Sequence, residues 1–438
     1  MSIDNALGGD NQSSRSERFG NSVLLSWCLY DWANSAFPAV ISTFVFAVYF
    51  TESVAVSPVS GSIQWSYAVT GAGFAIALLS PVVGAIADRT GRQKVWLVAF
   101  TMICVAACAA LWFIRPDPAY GSLALTLYIV AATAFGIAMV FYDCMLTRLV
   151  PAQYIGRLSG LGWAAGYVGG LLCLLIVLFA FVDEQTAPME FNRPAGEQVR
   201  AACLFVAFWY LLFSMPLFFS RTDRSDSSLS ALQAIGPGLR RLATTLRTLP
   251  DQPVVSRFLI AHMLATDGVT TLILFGGVYA AGTFGFEISE ILLFAVALYI
   301  FAGLGAAGFG WLDDRIGPKA VILLALAAIL VLVSGLVLAG SKTQFWVLGT
   351  ALGIFIGPAQ AASRSLMTRL TPPDKAAELF GLYSLAGKIT VFVGPLLFGL
   401  LVEVAQTQRA GFVVIIVFLA AGIFVLRGLP EPGAQQVN

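Results

Sequence analysis

The chain has 438 residues, of which 58% are hydrophobic and only 11% are charged, and its formal net charge is +1. Roughly a quarter of the residues in a soluble globular domain are charged, so this composition excludes that class. A net charge near zero gives no support to nucleic-acid binding. We therefore expect an integral membrane protein that is surrounded by the lipid bilayer.

The residues before Asn21 are polar and contain no apolar core, so we do not expect them to act as a signal peptide. We expect residues 1–22 to be a disordered cytoplasmic tail. The first apolar run, Val23–Phe50, is too long for a signal peptide and long enough to cross a bilayer.

Twelve apolar runs reach the length of about 20 residues that a membrane-spanning helix needs. They lie at Val23–Phe50, Gln64–Ala87, Val95–Ile114, Leu123–Leu146, Leu158–Phe181, Ala201–Ser220, Val254–Ala281, Ile288–Leu312, Val321–Gly340, Phe345–Met367, Leu379–Val402 and Gly411–Leu426. The sequence predicts an all-α integral membrane protein with about twelve transmembrane helices in two six-helix halves, 23–220 and 253–428.

Basic residues predict the orientation. Most lysines and arginines, Arg364 and Arg369 among them, fall on the side that holds both termini. The other side has Arg115, Arg193, Arg200, Lys342 and Arg409. Because basic residues accumulate in cytoplasmic loops, we expect a multi-pass protein of the inner (cytoplasmic) membrane with both termini, including a tail at 429–438, in the cytoplasm.

A linker at 221–252 joins the two halves. Within it, leucines and an isoleucine recur at helical spacing from Leu232 to Leu249, opposite Arg240, Arg241 and Arg247. This pattern predicts an amphipathic helix on the cytoplasmic membrane surface. A plain flexible tether is the open alternative.

Two segments of the chain repeat in the same order. A glycine-punctuated, charged hairpin between spans two and three, Gly84–Lys94, returns between spans eight and nine as Gly310–Lys319. Met145–Pro151 after span four matches Leu366–Pro372 after span ten. This parallel duplication of a six-span unit resembles the major facilitator superfamily, which implies the major facilitator fold.

The resemblance implies that the hairpins form a cytoplasmic latch that holds the outward-facing state. Asp88 is expected to approach the positive N-terminus of the eleventh span near Ala376. Pro318 replaces a basic residue in the second hairpin, so we expect a weaker second latch. The predicted latch residues are Gly84, Asp88, Arg89, Gly91, Arg92, Lys94, Arg148, Gly310, Asp314, Arg315, Gly317 and Arg369. The alternative is that these charges only set the topology.

Charged residues inside the spans are costly unless they are paired or hydrated. Asp31, Asp143, Asp267 and Lys388 lie in spans one, four, seven and eleven, whereas spans three, six, nine and twelve have no charge in their interiors. In the facilitator fold the latter four helices lie away from the substrate cavity. Pro38 is expected to hinge the first helix.

These charges and their polar neighbours on the same helix faces predict a substrate or proton site. Its predicted residues are Asp31, Asn34, Ser35, Asp143, His262, Asp267, Thr270 and Lys388. Two alternatives stay open: Asp31 or Asp267 neutralises Lys388 as a buried ion pair, and His262 is a hydrogen-bonded packing residue.

The segments Tyr30–Phe37 and Phe141–Tyr142, and Gly156–Gly160 through Gly166–Gly170, resemble the bacterial branch of the vacuolar effluxer family. The eukaryotic members release amino acids that autophagy recycles. The resemblance implies alternating-access export of a small polar solute such as an amino acid. Asp143 stands where many relatives are expected to have Asn, which makes it a candidate proton carrier.

Catalysis is not indicated, because GxSxG, Walker-type and HExxH patterns do not occur. All six cysteines fall in apolar runs without CxxC spacing, so we expect neither a metal site nor a cofactor. The expected partners are a small-molecule substrate, the bilayer and, if transport is coupled, protons; we expect a monomer. The alternative function is a non-transporting receptor or lipid-handling protein that retains the fold.

Overall fold

The computed structural model describes residues 21–184, 186, 188, 190–220, 231–286, 288–388 and 390–429. Throughout these residues the secondary structure is helical and includes no β-strand. Most of the two predicted tails, and residues 221–230 of the predicted linker, lie outside this part of the chain.

The first half is built from long antiparallel helices. Its α-helices are α1 Asn21–Asn34, α2 Phe46–Tyr49, α3 Pro58–Thr90, α4 Gln93–Ala110, α5 Gly121–Leu149, α6 Ile155–Val177 and α7 Glu197–Phe219. Its π-helical segments are Phe37–Phe44, Phe50–Val54 and Leu178–Val182, and its 3-10 turns are Leu111–Phe113, Pro118–Tyr120, Ala152–Tyr154 and Arg193–Ala195.

The second half repeats this plan after a linker helix, α8 Ala231–Thr248. Its α-helices are α9 Pro253–Phe284, α10 Ile288–Ile316, α11 Pro318–Leu338, α12 Lys342–Leu370, α13 Ala376–Ala386, α14 Val393–Ala405 and α15 Gln408–Arg427, with 3-10 turns at Leu249–Asp251 and Pro373–Lys375. Both described chain ends, residues 21 and 429, lie at one end of the bundle, which we call the termini side; Lys319 Nζ there donates to the Leu429 carbonyl at 2.5 Å.

Within the described residues, eleven helices are long and apolar enough to cross a membrane, and α14 is a shorter apolar helix. The predicted eleventh span is not continuous: α13 ends at Ala386 and α14 begins at Val393. Pro395 explains the break, because in a continuous helix its ring would clash with the Val391 carbonyl one turn earlier, whereas a proline in the first turn is tolerated. We call the described residues between these two helices, 387, 388 and 390–392, the helix break.

The first span is also irregular. A turn at Ser35 interrupts it, and π-helix follows from Phe37 to Phe44. Pro38 has no amide hydrogen to donate to the Asn34 carbonyl, so the regular α-helical ladder cannot continue there. The predicted irregularity at Pro38 is therefore present.

The two halves touch through glycines on the termini side. A Cβ atom on Gly84 of α3 would lie 2.3 Å from the Ala377 carbonyl oxygen of α13, and one on Gly160 of α6 would lie 2.3 Å from the Ala306 carbonyl oxygen of α10. These approaches need residues without a side chain. The contacts close the termini side of the bundle.

Substitution of Gly84 by alanine is expected to separate α3 from α13 and to destabilise this state by about 1–3 kcal/mol, the usual cost of overpacking. Distances between spin labels on the two helices, together with thermal unfolding in detergent, measure both effects. Gly73→Ala on the same helix is the matched control, because a Cβ atom there meets nothing within 4 Å. Equal behaviour of the two variants would contradict the packing argument.

The described part of the linker includes the helix α8, and this helix packs on protein. Within α8, Leu242 and Thr245 are buried, and Gly238 approaches the α3 backbone at Ala85 and Ile86. Part of the apolar face of α8 therefore packs against the termini-side end of α3. That part does not contact the membrane surface.

Candidate functional site

Two buried ion pairs lie where α1, α5 and α12 meet. Nη1 of Arg364 on α12 is 3.2 Å from Asp31 Oδ2 and 3.2 Å from Asp143 Oδ1. The side chains of Arg364, Asp31 and Asp143 are 3%, 7% and 18% exposed. One guanidinium thus faces two carboxylates, a surplus of one negative charge when both are ionised. We call these three residues the charge cluster.

Arg364 is fixed by further contacts. Its Nε donates to the Ser159 hydroxyl at 3.0 Å and its Nη2 donates to the Ser159 carbonyl at 2.7 Å. The guanidinium lies 4.9 Å from the centre of the Trp27 ring and 5.6 Å from that of Trp163. These hydrogen bonds and cation–π contacts offset part of the cost of removing the charge from water.

Besides its ion pair with Arg364, the Asp31 carboxylate accepts hydrogen bonds from two neutral side chains. Tyr142 Oη donates to Asp31 Oδ2 at 2.9 Å, and Asn34 Nδ2 donates to Oδ1 at 3.3 Å. Ser35 Oγ instead donates to the Asp31 carbonyl at 2.9 Å. On the predicted polar face of the first span, Asn34 therefore supports the charge cluster. Among the described residues, the Ser35 hydroxyl bonds only to a backbone carbonyl of its own helix.

Arg364 is the residue that sequence reasoning missed. It was assigned to the basic residues of the termini side, but it is buried inside the bundle at 2% exposure. The repeat contained a signal: with Met145 matched to Leu366, the register pairs Asp143 with Arg364. The duplicated position thus carries opposite charges in the two halves, and these charges meet.

A cavity of about 260 Å³ lies between the halves, beside the charge cluster. Its apolar walls carry a set of polar side chains, as is typical of small-molecule sites. The polar lining residues are Asp143, His262, Thr266, Thr270, Gln360, Ser363, Tyr383, Ser384 and Lys388. Asp143 is the one member of the charge cluster that lines it.

His262 lies in the cavity wall and is tied to its neighbours. Its Nδ1 is 3.1 Å from Ser363 Oγ and 3.4 Å from Thr266 Oγ1. The imidazole also stacks on Tyr383, with ring centroids 4.0 Å apart. These contacts fit the packing alternative, and His262 is at the same time one of the residues that line the cavity.

Lys388 and Asp267 do not pair in the part of the chain that the structure describes. Lys388 lies in the helix break and is exposed to the cavity. Asp267 is 2% exposed and is absent from the cavity wall, which its neighbours Thr266 and Thr270 line instead. The structure therefore brings Asp143, His262, Thr270 and Lys388 to one cavity and turns Asp267 away from it.

The first latch has the contact that the sequence led us to expect. Asp88 accepts hydrogen bonds from the backbone amides of Ala377 at 3.1 Å and Glu378 at 2.9 Å, in the first turn of α13. Arg148 Nη2 donates to the Pro373 carbonyl across the two halves at 2.5 Å. A carboxylate at a helix N-terminus is favourable because the free amides and the helix dipole attract negative charge.

The other residues of the first hairpin have different positions. Lys94 Nζ donates to the Ser220 carbonyl within the same half, whereas Arg89 and Arg92 are exposed. Gly91 ends α3 with a φ of 66°, in the left-handed region that favours glycine.

The second latch repeats this geometry with more charges. Asp314 accepts from the amides of Gly156 at 2.9 Å and Arg157 at 3.1 Å, near the start of α6. Arg369 Nη2 also lies 3.2 Å from Asp314 Oδ1 and 2.9 Å from Asp313 Oδ1, and Arg157 Nε lies 3.2 Å from Asp314 Oδ2.

The expectation of a weaker second latch does not fit these contacts, because arginines on α6 and α12 supply the positive charge that Pro318 removes from the loop. Gly310 approaches the Gly156 carbonyl and the Arg157 backbone. Arg315 is exposed, and Gly317 has a φ of 87°.

A model of the family described as "Vacuole effluxer Atg22 like" matches residues 66–435. The chain belongs to this family. The resemblance inferred from the sequence is therefore confirmed.

Relatives of this Atg22-like chain occur in bacteria and fungi. The "Uncharacterized MFS-type transporter YxiO" of Bacillus subtilis (strain 168) is 27% identical over 416 residues, which cover 94% of this chain and 96% of the relative. "Autophagy-related protein 22" of Saccharomyces cerevisiae (strain ATCC 204508 / S288c) is 23% identical over 392 residues, which cover 77% of this chain and 71% of the relative.

Solved structures show the same fold. The proton:xylose symporter XylE has a TM-score of 0.72 at 13% identity and covers 94% of this chain and 96% of its own. The transporter FucP in its outward conformation has a TM-score of 0.72 at 14% identity and covers 94% of this chain and 98% of its own. This Atg22-like protein therefore has the major facilitator fold, and its family and its bacterial relative make it an MFS-type membrane transporter.

Proposed function

We propose that this transporter exports a small zwitterionic solute, an amino acid or a related metabolite, across the inner membrane by alternating access. The observation that carries the proposal is the pair of opposite charges in one cavity wall, the Asp143 carboxylate and the Lys388 ammonium. An α-ammonium group matches Asp143 and an α-carboxylate matches Lys388, because buried charges need partners of opposite sign.

The cavity size and its neutral groups support a small solute. A volume of about 260 Å³ suits a molecule of a few heavy atoms better than a lipid. His262, Gln360 and Ser384 offer hydrogen bonds, and the apolar wall between them can receive a side chain. The family's description as effluxers favours export over import.

The two latches support an outward-facing state. We place the termini in the cytoplasm on the basis of the basic residues on that side. The closed end, held by Asp88 and Asp314, is then cytoplasmic. Return to an inward-facing state requires both carboxylates to leave the helix N-termini.

Coupling to protons is proposed at Asp143. When Asp143 is ionised it shares Arg364 with Asp31, and when it is protonated Arg364 pairs with Asp31 alone. A proton and the ammonium group of a solute would then compete for Asp143, which is the exchange that an antiporter needs.

Counterflow in proteoliposomes tests the proposal. Lys388→Ala is expected to weaken amino-acid transport about ten- to hundredfold, since a hydrogen bond to a charged group contributes about 1.5–3 kcal/mol. The loss is expected to be smaller for the corresponding amine, which has no carboxylate for Lys388 to bind. Asp143→Asn is expected to impair amines and amino acids alike.

Lys342→Ala is the matched control, because Lys342 is an exposed lysine paired with Glu290 at 2.8 Å, outside the cavity. Equal losses in Lys342→Ala and Lys388→Ala would contradict the assigned role. Saturable solute binding without any counterflow would indicate the receptor alternative.

A further inference from the structure

A second polar cluster lies behind the cavity wall, on the opposite face of α9. Asp267 is 2% exposed and Thr271 is 0% exposed. Asp267 Oδ2 and Thr271 Oγ1 are both buried and have no hydrogen-bond partner among the described residues. Burying these two oxygens costs free energy, because each loses its hydrogen bonds to water and gains none from the described part of the protein.

Both oxygens lie beside the helix break. Asp267 and Thr271 are four residues apart, so they share one face of α9. A Cβ atom on Gly394, at the start of α14, would lie 2.1 Å from Thr271 Oγ1 and 3.3 Å from the Asp267 carbonyl oxygen. The Thr390 side chain interacts with the Asp267 carboxylate. One carboxylate and two hydroxyls therefore converge where the backbone is not helical.

Asp267 has no counter-charge among the residues that the structure describes. In the described part of the chain it forms no ion pair with a lysine or arginine, and Lys388 of the same break projects into the solute cavity. An ionised carboxylate inside a membrane protein costs several kcal/mol unless a cation compensates it. The compensation then has to come from solution, either as a proton that neutralises the carboxylate or as a metal ion that binds it.

We propose that Asp267, Thr271 and Thr390 form a Na⁺ site beside the helix break. Interrupted membrane helices are places where coupling ions bind in other transporter folds. A metal ion can be coordinated by the carboxylate oxygen and the hydroxyl oxygens at the same time. A proton on the carboxyl group would provide a hydrogen bond to only one acceptor. A single carboxylate favours a monovalent over a divalent ion, and the described residues contain no group of three His, Cys, Asp or Glu side chains for a transition metal.

The position of the site predicts that Na⁺ binding and solute binding are coupled, an inference that rests on the proposed function. Thr390 on the cation side and Lys388 on the solute side belong to the same break. Na⁺ bound by Thr390 therefore favours one conformation of the break, and with it one position of Lys388, and solute bound to Lys388 favours the same conformation in return. Such a shared element makes the two binding events thermodynamically reciprocal.

Thermal unfolding of the purified full chain, without solute, tests the site independently of transport. NaCl is titrated against choline chloride at constant ionic strength, and parallel series use KCl and a range of pH. We expect a saturable rise of the midpoint with Na⁺ that choline and K⁺ do not reproduce. Thr271→Val is expected to raise the half-saturating Na⁺ concentration about tenfold or more, as loss of a group supporting a metal does, and Thr271→Ser is expected to restore it.

Thr283→Val is the matched control: this threonine lies near the C-terminal end of the same helix, where its hydroxyl donates to Gln408 Oε1 at 3.0 Å, so its Na⁺ response is expected to stay at the wild-type value. Asp267→Asn is expected to abolish the response to Na⁺. If that variant does not fold, the comparison of Thr271→Val with Thr271→Ser still tests the site. A midpoint that ignores Na⁺, an equal response to K⁺, or a response to pH alone would overturn the proposal. Intact Na⁺ binding with failed amino-acid counterflow would instead refute the proposed substrate.

Discussion

Arg364→Ala is expected to abolish transport and to destabilise the protein by about 3–5 kcal/mol, the usual effect of removing one partner of a buried ion pair. The variant leaves Asp31 and Asp143 facing each other without the guanidinium that lies 3.2 Å from each. Thermal unfolding in detergent and counterflow in proteoliposomes measure the two effects. Arg364→Lys keeps the charge but loses the contacts to Ser159 and the aromatic rings, so we expect an intermediate result.

A compensated variant separates stability from function. Arg364→Met combined with Asp31→Asn and Asp143→Asn removes all three charges, and buried ion pairs can often be replaced by neutral groups at little cost in stability. We expect it to regain most of the lost stability while transport stays absent. Wild-type counterflow in Arg364→Ala, or in the compensated variant, would exclude the charge cluster from the transport mechanism.

Asp314→Asn is expected to open the termini side more than Asp88→Asn does. Both substitutions weaken hydrogen bonds to two amides at a helix N-terminus, but Asp314 also loses its ion pairs with Arg157 and Arg369. Hydrogen bonds to charged groups contribute about 1.5–3 kcal/mol each, enough to shift a two-state equilibrium about tenfold or more. Distances between spin labels at the exposed residues Gln153 and Ile316 report the separation of α6 from α10.

Asp251→Asn is the control for this comparison, because it makes the same chemical change at an exposed position on the termini side. We expect unchanged distances in that variant. A larger change of the spin-label distances in Asp88→Asn than in Asp314→Asn would instead support the expectation, drawn from Pro318, that the second latch is the weaker one. Unchanged distances in both latch variants would mean that the hairpin charges set only the topology.

Several parts of the architecture were predictable because they depend on local properties of the chain. A run of about 20 apolar residues has one way to satisfy its backbone in a bilayer, which is a helix, so the spans could be read directly. The repeat of Gly84–Lys94 at Gly310–Lys319 predicted two equivalent halves. The contact of Asp88 with α13 also followed, since it needs only a carboxylate in the hairpin and a helix that begins opposite.

The interior of the second half was harder to predict. The apolar run Leu379–Val402 looked continuous, yet Pro395 breaks it, and the break directs Lys388 to one side while Thr390 lies beside Asp267 on the other. Composition cannot show this, because a proline in the first turn of a new helix and one that kinks a helix look alike in sequence.

The sequence by itself determined that Asp31, Asp143 and Asp267 lie inside the membrane and need compensation, because burying a charge is costly wherever it occurs. Only the tertiary structure decided which partner each receives. Arg364 precedes Arg369 by five residues, a rise of about 7.5 Å along a helix, which is enough to take it from the end of the bundle to Asp31 and Asp143. Among the described residues Asp267 is left without a protein cation, because partner choice depends on distances between helices, which no single span encodes.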